Sequence, residues 1–179
     1  ESSNRWQRLD DQVATMQEMW SQDVQGGEPL VGPRPFQPNG IPLVAGVEGP
    51  KALARAAQWA VGVNDGSSSF YFDAEDLNTR RERVVKAWKD AGRKDKPHFS
   101  GSTLFALGSD AKEKLAKSIF SLCGQENVDY ARTLIEKSNN VGAEGLRSAV
   151  EGARRAGLDN FTIMPTTSDP DELDRARDV

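Results

Sequence analysis

The sequence predicts an α/β chain built on parallel strands, on three observations. Short apolar runs alternate with longer helical patterns over residues 41–179, the order of strand–helix units in a parallel sheet. The first of those runs is apolar without alternation, which suits a strand covered on both faces. The composition, 37% hydrophobic and 28% charged over 179 residues, is that of one globular domain with a sizeable core.

The elements follow in order. Residues 1–22 read as a helix from Ser3, with Trp6, Leu9, Val13, Met16 and Trp20 on one face, an amphipathic pattern that predicts packing onto a sheet. Residues 23–40 carry Gly26, Gly27, Pro29, Gly32, Pro33, Pro35, Pro38 and Gly40. Proline removes donors and glycine adds freedom, so an extended connection is expected there. The run Ile41-Pro42-Leu43-Val44-Ala45 is the first strand, its proline near the start where ladder pairing loses least. Gly46-Val47-Glu48-Gly49 then turns into the alanine-rich helix opened by Pro50, proline being favoured at the first helical position.

Three further units follow. Val61-Gly62-Val63 is a short strand, Asn64 to Ser69 a glycine–serine loop, and Asp73 to Ala91 a helix with Leu77, Val84, Val85 and Trp88 inward. His98 to Leu107 is a strand, and Ser109 to Leu122 a helix with Leu115, Ile119 and Leu122 inward. Helices near Glu126–Lys137 and Gly142–Ala156 precede a last strand, Asn160 to Met164, and a helix beginning around Asp169. Four parallel strands cannot close a barrel, whose eight units occupy about 250 residues. Either an open four-strand sheet or half of an eight-strand barrel accounts for residues 41–179. The sequence opens on Glu1 and its last helical pattern runs to Val179, which predicts a piece cut from a longer chain.

Composition also excludes whole classes of function. A net charge of −4 with both signs scattered speaks against electrostatic capture of nucleic acid or an anionic membrane. One cysteine, Cys123, and one histidine, His98, rule out a disulfide framework and a Cys- or His-rich metal centre. No long apolar run and no leader pattern are present, so a cytoplasmic protein without membrane spans is expected. A glycine-rich dinucleotide fingerprint is also missing, since Gly46-Val47-Glu48-Gly49 lacks the third glycine.

Several segments carry a family resemblance in the correct order. Arg8-Leu9-Asp10-Asp11-Gln12, Met19-Trp20 and Gly32-Pro33-Arg34-Pro35-Phe36-Gln37-Pro38 resemble the middle of a luciferase-like flavin-dependent monooxygenase. Pro42 to Leu53 resembles that family's fifth strand and following turn, Phe105 to Ala111 the end of its seventh strand, and Asp159 to Thr167 with Asp171-Glu172-Leu173 its eighth strand and closing helix. The chain departs from the family at Ala60-Val61-Gly62, where Ala-Asp-Gly is common, and in its polar Asn64–Ser69 loop. The resemblance implies the carboxy-terminal half of a (β/α)8 barrel in one domain, 1–179. It implies an oxidoreductase that uses reduced FMN or an 8-hydroxy-5-deazaflavin, and no metal, on a small organic substrate. The first four strands have no counterpart here.

Gly46, Val47, Glu48, Gly49 and Lys51 are the candidate cofactor-binding residues. Glycines let backbone amides approach a phosphate, and a helix start presents unpaired N–H groups. In a barrel this turn lies on the catalytic face. The alternative is a plain helix-starting turn, and Glu48 opposes an anion unless its carboxylate points away. His98, at a strand's start, falls on the opposite face, and nothing near Cys123 activates its thiol. Ser100, Ser102 and Thr103 are hydroxyls on the strand that begins at His98, whereas Thr166, Thr167 and Ser168, after the last strand, either line a pocket or hold a phosphate on the catalytic face, or cap the final helix through Ser168 or Asp169. Arg80, Arg81, Glu82 and Arg83 form a solvated helix face. Catalytic residues are not identifiable.

Two functions remain open. One is the flavin- or deazaflavin-dependent enzyme. The other is a non-catalytic half-barrel that binds or assembles, because a lone half leaves two sheet edges unpaired and an apolar face open. Either predicts association, as a homodimer or with a missing amino-terminal half.

Overall fold

The structure, a computed structural model, describes residues 3–21, 35–37, 40–66 and 71–179. Most of the 23–40 connection, Gly32 to Arg34 and Pro38 of the family-like segment, and Ser67 to Ser69 of the polar loop lie outside these residues.

Helix α1 (Ser3–Ser21) comes first, followed by β1 (Val44–Ala45), α2 (Pro50–Ala56), β2 (Gly62–Asp65), α3 (Ala74–Asp90) and β3 (His98–Phe105). After β3 come α4 (Ala111–Cys123), a 3-10 turn (Gln125–Asn127), α5 (Val128–Lys137) and α6 (Gly142–Arg155). Strand β4 (Asn160–Pro165) and α7 (Asp171–Arg177) complete the chain. The four strands form one sheet in the order β1-β2-β3-β4, and every pairing is parallel. This is the α/β architecture that the alternating patterns predict.

The helices form for local reasons that also fix their buried faces. Asp73 caps α3 by accepting from the amides of Glu75 at 3.0 Å and Asp76 at 3.1 Å, and these two acids suit the positive helix start. Leu77, Val84 and Trp88 are its buried residues. Helix α4 buries Ala111, Leu115 and Ile119 at four-residue spacing. It ends at Gly124, whose φ of +75° suits glycine. In α6, Gly152 is required by packing: a Cβ there would lie 2.3 Å from Cε1 of Phe72. Phe72 in turn meets the Phe161 ring edge-on, 5.5 Å between centroids.

The main core lies between the sheet and α2, α3 and α6. Ala45, Val63 and Phe99 meet Leu53, Ala56, Val84, Trp88, Ala149 and Ala153 there, and the many alanines let helices and sheet approach closely. Helices α4 and α5 build a second cluster on Leu104 and Ala106. Gly62 marks the tightest strand contact, since a Cβ would fall 1.9 Å from the carbonyl oxygen of His98.

Four expectations are corrected. The first strand is not covered on both faces: Val44 is 43% exposed while Ala45 is buried. Asn64 and Asp65 belong to β2 and not to a loop, because they pair with Ser100 and Gly101 of β3. Val85 and Leu122 are exposed, not inward; at about 100° per residue Val85 cannot share the buried face with Val84, and Leu122 sits in the last turn of α4. Helix α1 does not bury an apolar stripe: Val13 is buried, whereas Trp6, Leu9 and Met16 each remain 38% exposed.

The open side of the sheet is mixed: its middle is polar, while alternation also sets Val44, Leu104 and Met164 there, the last two packed in the α4–α5 cluster. Alternation puts Phe99 and Phe105 toward the helices and Ser100 and Ser102 on the other side. Register then aligns Asn64, Ser100 and Asn160 in one row and Ser102 with Thr162 in the next. Ser100 Oγ donates to Asn64 Oδ1 at 3.0 Å.

Helix α7 is anchored by Glu172, which is fully buried. Its Oε1 accepts from the Leu107 amide at 2.5 Å, and its Oε2 meets Arg175 at 2.9 Å and Lys114 at 3.7 Å. Glu172→Ala strands the buried Leu107 amide, so it is expected to cost about 1–3 kcal/mol in denaturant unfolding. Glu172→Gln, which keeps an acceptor, costs less; equal losses contradict the anchor.

Candidate functional site

Parallel pairing puts the carboxy ends of all four strands on one edge, and the turn after β1 lies there. Val47 is half-buried and packs on the main core, which fixes the middle of the turn. Gly46, Glu48, Gly49 and Lys51 are exposed around it. Gly49 is the residue before α2, and no side chain caps that helix. The amide of Leu53 closes the first helical bond onto the Gly49 carbonyl at 2.9 Å, while Lys51 and Ala52 face an open cleft.

That cleft has a volume of about 810 Å³ and is lined by Gly46 to Ala52 together with Arg55, Trp6, Asn64 and Gly66. All five residues proposed from the sequence are therefore brought together. Trp6, Arg55, Asn64 and Gly66 are not identifiable from the sequence, since they come from α1, α2, β2 and the residue after it. Asp10 places the first of these: it pairs with Arg55 and accepts from Trp59 Nε1 at 3.3 Å, which holds α1 and its Trp6 beside α2.

Charge in the cleft is unevenly distributed. Lys51 has no acidic partner within ion-pair distance among the described residues, whereas the carboxylate of Glu48 lies 3.7 Å from Nη1 of Arg80. Arg80 Nε also meets Asp76 at 2.8 Å and the buried Asp65 at 3.8 Å. Burial works against the Arg80 charge, but the hydrogen bond to Asp76 and the fields of Asp65, Asp76 and Glu48 outweigh it and hold its pKa above the ordinary arginine value. The solvated face expected for Arg80 is thus corrected: three-quarters of its side chain is buried.

The backbone of the turn is open and one arginine nitrogen beside it is unpartnered. An added Cβ at Gly46 or Gly49 would meet nothing within 4 Å, so their backbone is open to a ligand, and Nε of Arg55 is buried without a hydrogen-bond partner.

The remaining candidates are placed elsewhere. His98 lies at the opposite end of β3, with Nδ1 3.9 Å from Asp159. Burial disfavours the Asp159 carboxylate, but the hydrogen bonds from Lys96 and the Phe99 amide, with the Lys96 and His98 charges, hold its pKa below the usual range. Thr103 is buried on the helix side and accepts from Asn140 Nδ2 at 2.5 Å. Thr167 Oγ1 accepts from the Asp169 amide at 3.2 Å and Asp169 Oδ1 from the Asp171 amide at 3.1 Å; these are local turns leading into α7, whose N-cap residue is Pro170 with no side-chain cap, in place of the cap expected from Ser168 or Asp169. Cys123 is a half-buried free thiol. Among the described residues, no group of three His, Cys, Asp or Glu side chains could hold a metal ion, and no helix is long and apolar enough to cross a membrane.

No protein-family model matches the chain, and no curated protein matches it either. Solved structures do. An F420-dependent secondary alcohol dehydrogenase in complex with an F420-acetone adduct superposes with a TM-score of 0.64 over 92% of this chain and 57% of its own, at 15% identity. The monooxygenase RslO1 from Streptomyces bottropensis gives 0.66, covering 99% of this chain and 60% of its own at 16% identity. The coenzyme F420 dependent tetrahydromethanopterin reductase from Methanopyrus kandleri gives 0.57, over 82% and 51%, at 20% identity. The chain shares their fold. It spans between half and two-thirds of the length of these three structures, and its four parallel strands form half of a barrel. The luciferase-like resemblance of the sequence segments thus holds at the level of fold.

Asp10→Ala removes the carboxylate that ties α1 to Arg55 and Trp59. Hydrogen exchange over residues 3–21 is expected to accelerate at least tenfold in this variant while exchange in β3 is unchanged. Unchanged protection of α1 contradicts the role given to Asp10.

Proposed function

We propose that the chain is the carboxy-terminal half of a luciferase-like oxidoreductase and that the turn Gly46-Val47-Glu48-Gly49, with Lys51, holds the phosphate of FMN or an 8-hydroxy-5-deazaflavin. The observation that carries this reading is the cleft at the carboxy ends of β1 and β2, which gathers the open glycine backbone and two cations. Two of the fold's solved neighbours are F420-dependent enzymes and another is a monooxygenase, which supports the cofactor class.

When bound, the reduced cofactor supplies the redox chemistry on a small organic substrate, by hydride transfer or reaction with oxygen. The chain's own residues bind and orient. Gly46 and Gly49 let the backbone come close to the phosphate oxygens. Lys51 contributes a mobile point charge, and Arg55, fixed by Asp10, a second and more rigid one. Trp6 walls the cleft on the α1 side and limits water access to the anion. The strands that complete the barrel come from a missing amino-terminal half or from a second copy, since β1 and β4 are the outer strands of the sheet and unpaired edges invite association.

Native mass spectrometry of the chain with FMN and the deazaflavin added in turn tests the reading and reports the stoichiometry. A cofactor-bound species is expected, and Lys51→Ala is expected to weaken FMN about tenfold while leaving riboflavin, which has no phosphate, unaffected. A wild-type chain that binds neither cofactor, alone or supplied with a barrel's first half, contradicts the proposal.

A further inference from the structure

The side chain of Arg80 touches three elements at once: the turn after β1 through Glu48 at 3.7 Å, the end of β2 through Asp65 at 3.8 Å, and its own helix α3 through Asp76 at 2.8 Å. Glu48 is the outermost of these carboxylates, 57% exposed where Asp65 is 4%. An exposed ion pair at that distance adds little to stability, and Asp76 already gives Arg80 a close partner. What the Glu48 pair does determine is where a negative charge sits. Glu48 lies in the middle of the turn and itself borders the cleft with its neighbours, so a carboxylate turned into the cleft would repel any anion entering it.

We propose that Arg80 is a positioning residue that draws the Glu48 carboxylate to the α3 side of the turn and so keeps the cleft open to an anionic ligand. The inference rests on the phosphate reading given above. It also accounts for a glutamate in a phosphate-binding turn, where its charge is otherwise adverse. The chemistry of arginine suits this role. Its guanidinium has five donors in a rigid fork, so Asp76 and Asp65 can hold it at Nε while Nη1 faces Glu48. Three-quarters buried and held by Asp76 at 2.8 Å, the Arg80 side chain borders one small cavity with Val47, Leu53, Val63, Val84 and Phe99 and has little freedom to follow Glu48 outward.

Dissociation constants for FMN and riboflavin, measured on the whole chain and its variants, test this. Arg80→Gln is expected to weaken FMN about five- to tenfold and riboflavin not at all. Adding Glu48→Gln to it restores FMN binding to within about twofold of wild type, whereas adding Asp76→Asn does not. Glu48→Asp, too short to reach Arg80, weakens FMN about threefold in a chain whose core is untouched, so the test does not depend on Arg80→Gln folding. Unchanged FMN binding in Glu48→Asp, equal loss of FMN and riboflavin in Arg80→Gln, or equal rescue by Asp76→Asn overturns the inference. The side-chain carboxyl ¹³C resonance of Glu48 reads the pairing without ligand. It shifts on Arg80→Gln if the pair exists and stays put if it does not. A wild-type chain that binds no FMN, with that resonance still responsive, counts against the phosphate reading and not against the pairing.

Discussion

All else in this molecule depends on the parallel sense of its four strands. Parallel neighbours need a crossover between them, and here each crossover contains at least one helix. Every strand therefore ends on the same edge, and the turns that leave β1 and β2 meet there. The cleft is a consequence of that topology: Gly46 to Gly49 follow β1, Asn64 and Gly66 come from the end of β2 and just beyond, and α2 begins between them. The same rule sends His98 to the far edge, away from any chemistry at the cleft.

The two faces of the sheet are treated differently, and this ties the packing to function. The helix side is closed by aromatic and small apolar residues, Phe99 and Phe105 against Trp88, Ala149 and Leu146. The other side presents Asn64, Ser100, Ser102, Asn160 and Thr162 in register. The carboxy ends of β3 and β4 add Leu104 and Met164 to that side, where the α4–α5 cluster covers them.

How much of this is legible in the sequence follows from what each signal measures. Strands β3 and β4 are readable because aromatic and β-branched residues cluster in them, and α3 and α4 because their apolar residues recur at helical spacing. Asn64 and Asp65 read as loop because their types are depleted in strands; a side-chain bond to Ser100 and the neighbouring Arg80 guanidinium keep them in β2. The turn 46–49 is legible from two glycines before a proline-opened helix. Its companions are not, for Trp6 and Arg55 reach the cleft only through an ion pair between residues 45 positions apart. The charge run containing Arg80 looks like an ordinary exposed face; helical spacing marks Asp76 as a partner, but nothing local marks Glu48 or Asp65. Departures from expectation thus collect where long-range electrostatics overrides local propensity.

Whether the turn after β1 is where a phosphate-bearing ligand rests is tested most directly by amide resonances, followed by NMR as FMN is titrated into the chain. The amides of Gly46 to Gly49, Lys51 and Ala52 are expected to shift first, joined by Asn64 and Gly66 and by the indole of Trp6. Shifts confined to the Thr166–Ser168 loop, or no saturable change at the turn, would contradict a phosphate site there.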